Sequence, residues 1–422
     1  MTQRSFLFLQ GPHGPFFSKL AGELQQAGCD VHRIGFNAGD EYFWSQRDVY
    51  TAYTQPAENW PDFVSEFYDQ HGITDIVLYG DTRYVHDVAR KIAAERDIKI
   101  HCFEEGYLRP YWVTYELNGV NGNSRLMDMS LDDIKSRLVR QTKTLTDAPS
   151  QWGALWHHTY FGAVYHWHIL FRNRKYRFYE THRAISVGRE WWLHFHRLLN
   201  MPLASIRRRR QARRLENSGK NYHLVLMQLA HDTSFTAHSD FGHISEFIEL
   251  CISSFALGAP KHHLLVFKPH PLEDGRENLP KLIRTIARQY GIADRVEFLE
   301  SGKLGALLDR ALTAVTVNST AGQQALWRGM PLRTFGRSVY SKPELVSEQP
   351  LDEFFADPEY PDTVSYMAYR RYLLETSQFN GGFYTASGRA QVIRVVVEVI
   401  LHDIDPYDIH PQVQVPKVVS QL

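Results

Sequence analysis

The sequence predicts an α/β chain: two Rossmann-like domains, a basic aromatic helical insertion between them, and helices at the C-terminus. Three observations carry this expectation. Short apolar runs end in glycine, proline or polar residues and pass into segments of helical spacing, once within residues 1–150 and again within 217–345. Residues 151–216 are instead cationic and rich in aromatics. Residues 346–422 hold two further helical stretches.

In the first domain, residues 5–10 read as an apolar strand running into the breakers Gly11-Pro12-His13-Gly14-Pro15. Residues 16–27 follow with Phe17, Leu20, Ala21 and Leu24 on one helical face. Residues 30–36 and 75–79 read as strands, the latter ending at Gly80-Asp81. A helix over 84–95 leads to a strand over 99–103 that ends at Glu104-Glu105-Gly106. Strand–glycine–helix alternation predicts a parallel sheet with helices on both faces, so ligands belong at the carboxyl ends of the strands.

The second domain repeats the pattern. Strands are expected over 222–228, 263–267, 296–299 and 314–317, with helices over 245–255, 280–290, 304–311 and 321–328. Proline near the start of the 280–290 helix fits a position whose N–H is unbonded anyway. The last helices, near 363–376 and 387–401, flank Asn380-Gly381-Gly382, a turn, and are expected to pack back on the first domain.

The chain of 422 residues carries 47 basic and 47 acidic side chains, with 43% hydrophobic residues. That balance excludes a disordered chain, a collagen-like repeat and a wholly basic nucleic-acid coat. The three cysteines, Cys29, Cys102 and Cys251, form no CxxC pair, so neither a disulfide framework nor a zinc site is expected. No apolar run reaches a membrane-spanning length, and the expectation is a cytoplasmic protein that lies on a membrane without crossing it.

Zero net charge hides a polarised molecule. Residues 172–214 contain thirteen cations and two acids, interleaved with tryptophan, tyrosine and phenylalanine. One reading is a solvated helical face. A second is an anionic membrane surface, because Arg and Lys favour anionic headgroups and Trp and Tyr favour the interface. Nucleic-acid binding ranks last, since no helix-turn-helix, zinc-finger or RNP pattern accompanies the segment.

Five strand-end motifs carry candidate chemistry. The turn with Gly11, His13 and Gly14 either lets backbone N–H groups approach an anion or is a plain βα turn; no Walker lysine follows it. Glu104-Glu105, with Arg109 nearby, is either a cleft base with an orienting cation or a surface ion pair. Asp232, in Gln228-Leu229-Ala230-His231-Asp232-Thr233-Ser234, is either a nucleophile or a helix cap. Lys268-Pro269-His270-Pro271 suits a phosphate or a plain loop. Ser319 and Thr320, in Asn318-Ser319-Thr320-Ala321-Gly322, are caps or phosphate ligands.

Taken together, GPHGPFF, EEGYLRPYWVTYE with GVNG behind it, Q-x-x-x-D-x-S, KPHP and NSTAG-x-x-A-L resemble the capsule polysaccharide biosynthesis proteins, the KpsS type above all. The resemblance implies a GT-B-like fold, with both domains facing a cleft, and a retaining transferase. Such an enzyme moves Kdo from CMP-Kdo to a phosphatidylglycerol-type lipid at the cytoplasmic face of the inner membrane, starting a capsule linker. It implies no cofactor and no catalytic metal. A KpsC-type transferase and the capsule export machinery are the implied partners, and nucleic acid is not.

Carried onto this sequence, the resemblance makes Asp232 the nucleophile, with Gln228 and Ser234 orienting it or touching the sugar. One of Glu104 and Glu105 becomes the general base, Glu105 being preferred. Lys268 and His270 go to the CMP phosphate, and Ser319 and Thr320 to the same nucleotide. His13 and Arg109 go to the Kdo carboxylate or the lipid phosphate. The basic segment would dock the enzyme on an anionic leaflet in a salt-sensitive way. Two alternatives stand beside this reading: a transferase using another CMP-ulosonic acid or acceptor, and a non-catalytic adaptor for capsule export.

Overall fold

The computed structural model describes residues 3–109, 111–138, 155–179, 211, 213–215, 217–229, 235, 238–270, 273, 277–300 and 302–408. The first elements are β1 (Ser5–Phe8), α1 (Phe16–Gln26), β2 (Asp30–Gly35), α2 (Ala38–Tyr42), β3 (Tyr50–Ala52), α3 (Trp60–Gln70), β4 (Asp75–Tyr79) and α4 (Tyr84–Ala94). There follow β5 (Lys99–Glu105), β6 (Trp112–Leu117), α5 (Leu131–Arg137), α6 (Leu155–Arg172), β7 (Tyr222–Leu226), α7 (Ile244–Gly258), β8 (Leu264–Lys268) and α8 (Leu279–Gln289). The last are β9 (Val296–Phe298), α9 (Leu304–Leu308), β10 (Thr313–Thr316), α10 (Gly322–Leu326), β11 (Leu332–Thr334), α11 (Leu351–Ala356), α12 (Thr363–Glu375), β12 (Gln378–Asn380) and α13 (Ala386–Leu401). The chain divides into two units, one bounded by Met1–Asp128, Ser136–His182 and Arg370–Leu422, the other by Met129–Lys135 and Arg183–Tyr369.

In the first unit the strand order is β12-β6-β5-β4-β1-β2-β3. The five strands from β3 to β5 are parallel, in the order of a Rossmann half, and the order reverses between β1 and β4. Side chains alternate between the two faces of the sheet. Phe6 and Phe8 pack with Phe16, Leu20, Val392 and Val396 from α1 and α13. Leu7 and Leu9 pack on the other face with Val64, Phe67, Ala89 and Ala93 from α3 and α4. Burial on both faces is why β1 reads as a continuous apolar run rather than an alternating one.

One part of this sheet departs from the expected parallel pattern. β5 runs on to Glu105 and turns back into β6, so that Glu104 lies opposite Thr114 and Glu105 opposite Val113 in an antiparallel pair. Gly106 makes the turn possible: a Cβ there would stand 2.4 Å from the Trp112 carbonyl oxygen. β12 then adds to β6, also antiparallel, and α13 packs in the same unit as α1. α11 packs instead in the second unit, where Phe354 and Phe355 join its core.

α6, the first part of the basic segment, belongs to the first unit. His168 stacks on Tyr42 at 3.8 Å and Phe161 meets Phe43 edge-on at 5.7 Å. Residues 180–210 of that segment lie outside the described residues.

The second unit is a five-stranded sheet in the order β11-β10-β7-β8-β9, parallel throughout. Here the order reverses between β7 and β10. Val225, Leu265, Phe267 and Val315 form the core with Phe247, Ile248, Cys251 and Ile252 of α7. The expectation of an α/β chain with two Rossmann-like domains is borne out. No helix among the described residues is long and apolar enough to cross a membrane.

Candidate active site

In each unit the described polar residues singled out in the sequence lie at the carboxyl edge of the sheet, on strands at or next to the point where strand order reverses. In the first unit β1 delivers Gln10 and the Gly11–Gly14 turn. Gly11 packs against Phe17, whose ring would lie 2.6 Å from a Cβ at position 11, and Gly14 has φ of 121°. Both glycines are therefore required by the tight turn itself. His13 stacks on Tyr165 of α6 at 4.3 Å and meets His166 edge-on.

Beneath this turn lies a buried polar network. Gln10 donates through Nε2 to Tyr165 Oη at 3.0 Å and accepts at Oε1 from Arg83 Nη1 at 3.0 Å. Tyr165 donates to Asp40 Oδ1 at 3.1 Å and accepts from Asn37 Nδ2 at 2.8 Å. Asn37 also caps α2, accepting from the Gly39 and Asp40 N–H groups. Burial raises the Asp40 pKa, against the opposing effect of Arg33 at 3.4 Å and the Phe36 N–H. Tyr165 thus joins α6 to the ends of β1 and β2.

Glu104 and Glu105 stand at the end of β5, next to β4. Both are half-buried, but their surroundings differ. Glu104 Oε1 accepts from the Glu105 N–H at 2.9 Å, and Oε2 accepts from Asn121 Nδ2 at 3.4 Å. Burial pushes the Glu104 pKa up to about 7; the Glu105 N–H and the charge of Arg109 oppose the rise, and the Glu105 charge adds to it. Glu105 Oε1 instead accepts from Tyr79 Oη at 3.4 Å. Tyr384, from the Phe379-Asn380-Gly381-Gly382-Phe383-Tyr384 stretch, also hydrogen-bonds Glu105. Arg109 is exposed, with Nε directed at the Gly106 carbonyl at 3.3 Å.

The GVNG turn is anchored by Asp81, at the end of β4. Asp81 Oδ2 accepts from the Val120 N–H and from Asn123 Nδ2, both at 3.0 Å. This fixes Asn121, whose φ is 56°, a left-handed conformation that asparagine tolerates better than most residues.

In the second unit, Gln228, Lys268 and His270, and Ser319 and Thr320 stand at the carboxyl ends of β7, β8 and β10, three neighbouring strands. Gln228 and Asn318 exchange two hydrogen bonds: Nε2 to Asn318 Oδ1 at 2.5 Å, and the Asn318 N–H to Gln228 Oε1 at 3.1 Å. Ser319 Oγ accepts from the Ala321 N–H at 3.2 Å, and the Ser319 carbonyl accepts from Tyr340 Oη. Lys268 Nζ reaches the Glu300 carbonyl at 3.3 Å, and the His270 carbonyl accepts from the Glu273 N–H. Asp232 and Ser234 lie outside the described residues.

Asn121, Asp81, Arg83, Tyr79, Tyr384, Tyr165 and Asn318 escaped the sequence reading as site residues. Asp81 and Asn318 carried a signal, since each directly follows a strand. Tyr165 carried none, because tertiary packing alone brings it to the strand ends.

Residues 74–384 match the family described as "Capsule polysaccharide biosynthesis protein". The capsule polysaccharide modification protein LipB of Neisseria meningitidis serogroup A is 34% identical over 395 residues, covering 91% of this chain and 92% of LipB. The capsule polysaccharide export protein KpsS of Escherichia coli is 30% identical over 390 residues, covering 91% and 98% respectively. Among solved structures, the β-Kdo 2,7 transferase of Thermosulfurimonas dismutans KpsC is similar with a TM-score of 0.45 at 12% identity, covering 94% of this chain and 100% of that one. The family match and the two full-length relatives together show that this chain belongs to the capsule polysaccharide biosynthesis proteins.

Proposed function

We propose that the protein is a retaining glycosyltransferase that moves Kdo from CMP-Kdo to the hydroxyl of a phosphatidylglycerol-type lipid, starting the linker of a capsular polysaccharide. One observation carries the catalytic part of the reading: a carboxyl group at the end of β5 is held near neutrality, at about 7, between a backbone N–H and an asparagine amide. A base works best when its pKa lies close to the working pH. We therefore assign the base to Glu104 and give Glu105, held by Tyr79 and Tyr384, a supporting place.

The reaction runs through two displacements. The Asp232 carboxylate attacks the anomeric carbon of Kdo, and the bond to CMP breaks with its electrons leaving on the phosphate. Gln228, braced by Asn318, and Ser234 orient the nucleophile. Lys268, His270, Ser319 and Thr320 hold the departing nucleotide. Glu104 then takes the proton of the lipid hydroxyl as its oxygen attacks the same carbon, and the Asp232 carboxylate leaves. Two inversions give retention. No metal or cofactor enters these steps. His13 and Arg109 supply cationic or hydrogen-bonding character for the Kdo carboxylate or the lipid phosphate.

Intact-protein mass spectrometry of Glu104→Gln incubated with CMP-Kdo and acceptor tests the scheme. Without its base the second displacement slows, so an enzyme carrying one covalent Kdo should accumulate, with the label on the peptide containing Asp232. A variant that turns over at the wild-type rate with no adduct sinks the assignment.

A further inference from the structure

We infer that the outward face of α6 is a membrane-docking surface that lies in the headgroup region of an anionic bilayer. The inference rests on the lipid-acceptor reading above and names the surface by which the protein meets that lipid. Positions 156, 160, 163, 167 and 171 recur at three- or four-residue intervals, so they share one side of a helix. Trp156, Tyr160, Trp167 and Phe171 on that side are between 40% and 63% exposed, and Phe178 just beyond is 53% exposed. The opposite side is fully used: Tyr165, His168 and Ile169 are buried against the first unit. A row of exposed aromatics is the kind of patch that marks an interaction site rather than ordinary surface.

Charge identifies the occupant. Residues 155–179 contain no aspartate or glutamate. Arg172, Arg174, Lys175 and Arg177 follow the stripe directly, and all four are exposed. The Arg172 guanidinium lies 5.5 Å from the Trp167 ring, so cation and aromatic occur in one patch. Trp and Tyr prefer the bilayer interface, and exposed Arg and Lys are drawn to anionic headgroups. At 18 residues with no spanning character, α6 lies along such a surface and does not cross it. Its inner face carries Tyr165, which holds Gln10 and stacks on His13, so the docked helix is also the one that supports the glycine-rich turn.

The test is flotation of the full-length protein with vesicles of phosphatidylcholine alone or of phosphatidylcholine mixed with phosphatidylglycerol. Wild type should float with the mixed vesicles, less so at high salt, and not with phosphatidylcholine alone. Trp156→Ser with Trp167→Ser and Phe171→Ser should lower the bound fraction about ten-fold while leaving the thermal melt unchanged, because the deleted contacts face outward. Retained flotation in the triple variant overturns the proposal. So does a dimer in solution that the same substitutions dissolve, which would make a second copy the occupant. Transfer to a detergent-dispersed acceptor separates the two readings: a variant that loses flotation but keeps this transfer supports the docking surface. Flotation that depends on the stripe, with no transfer from wild type under any condition, would leave the docking surface standing and remove the functional reading.

Discussion

Asn121 Nδ2 donates to Glu104 Oε2 at 3.4 Å while the backbone N–H of the same residue is held by Tyr107 Oη at 2.7 Å. The asparagine is thus fixed at both ends, in a left-handed conformation, beside a carboxylate that titrates near neutrality. It is a positioning residue for the proposed base. Asn121→Ala removes the donor that favours the ionised carboxylate. The acidic limb of the kcat/KM profile should move to higher pH by up to about one unit. Asn121→Gly, which accepts the same backbone conformation, should give the same shift with less loss of stability. An unmoved profile in both variants would remove Asn121 from the site.

Glu104 itself dictates the direction of the pH dependence. The base acts only when ionised, so kcat/KM should rise as pH passes upward through about 7. Glu104→Gln should abolish that limb and lower kcat by roughly 10²–10⁴-fold, the usual range for losing a general base. Glu105→Gln should cost much less. The opposite ranking would return the base to Glu105, the carboxylate that sequence resemblance favours.

Glu116 is a second carboxyl raised to about 7 by burial, against the opposing effect of the Ser124 hydroxyl, which donates to it, and of the neighbouring tyrosine hydroxyls. A group raised in the folded state binds its proton there more tightly than in the unfolded chain. Its contribution to stability is fully present below the ordinary glutamate range, near 4.5, and is lost as pH rises through about 7. Glu116→Gln should therefore remove on the order of 2–3 kcal/mol of pH-dependent destabilisation at pH 8, read as a flatter denaturation midpoint against pH. A midpoint whose pH dependence matches wild type would contradict this.

At the opposite end of the first sheet Asp75 joins three elements. It pairs with Arg4 and accepts from His101 Nε2 at 2.9 Å, while His101 Nδ1 contacts Tyr115 Oη at 2.8 Å. Burial alone would raise the Asp75 pKa, but the hydrogen bonds from His101 and Arg4 outweigh it and hold the carboxyl well below the usual range. Its stabilising contribution is present above the unfolded carboxylate value and lost as pH falls towards the depressed one. Asp75→Ala takes from the half-buried Arg4 its carboxylate and from the buried His101 its acceptor, and should cost about 3–5 kcal/mol in urea unfolding. A cost under about 1 kcal/mol would show the network to be incidental.

Tyr165→Phe tests the seam between α6 and the site. The lost hydroxyl serves Gln10, Asn37 and Asp40, all buried, so the variant should lose about 1–3 kcal/mol of stability. It should also raise KM for the acceptor, because Gln10 loses its hydroxyl partner, while the ring that stacks on His13 is kept. A stable variant with unchanged KM would disconnect α6 from the turn.

Much of this architecture was legible in the sequence because apolar runs and breakers report local structure directly. β1, β4, β7 and β8, with the turns after them, were visible for that reason. β6 was not: Trp112–Leu117 alternates, but the hairpin depends on Gly106 approaching Trp112, a tertiary contact. The site divides in the same way. Glu104, Gln228 and Ser319 stand at strand ends and could be read. The raised pKa of Glu104 was not readable, since it arises from burial, and neither was its contact with Asn121, seventeen residues away along the chain. The Gln228–Asn318 exchange spans ninety residues and likewise needs the fold.

The transfer reaction is tested most directly by mass spectrometry of the lipid after purified protein is mixed with CMP-Kdo and a phosphatidylglycerol acceptor. The expected product is a lipid heavier by one Kdo, formed by wild type and lost in Asp232→Asn with the fold intact. An unchanged lipid beside intact CMP-Kdo, or full transfer by Asp232→Asn, would contradict it.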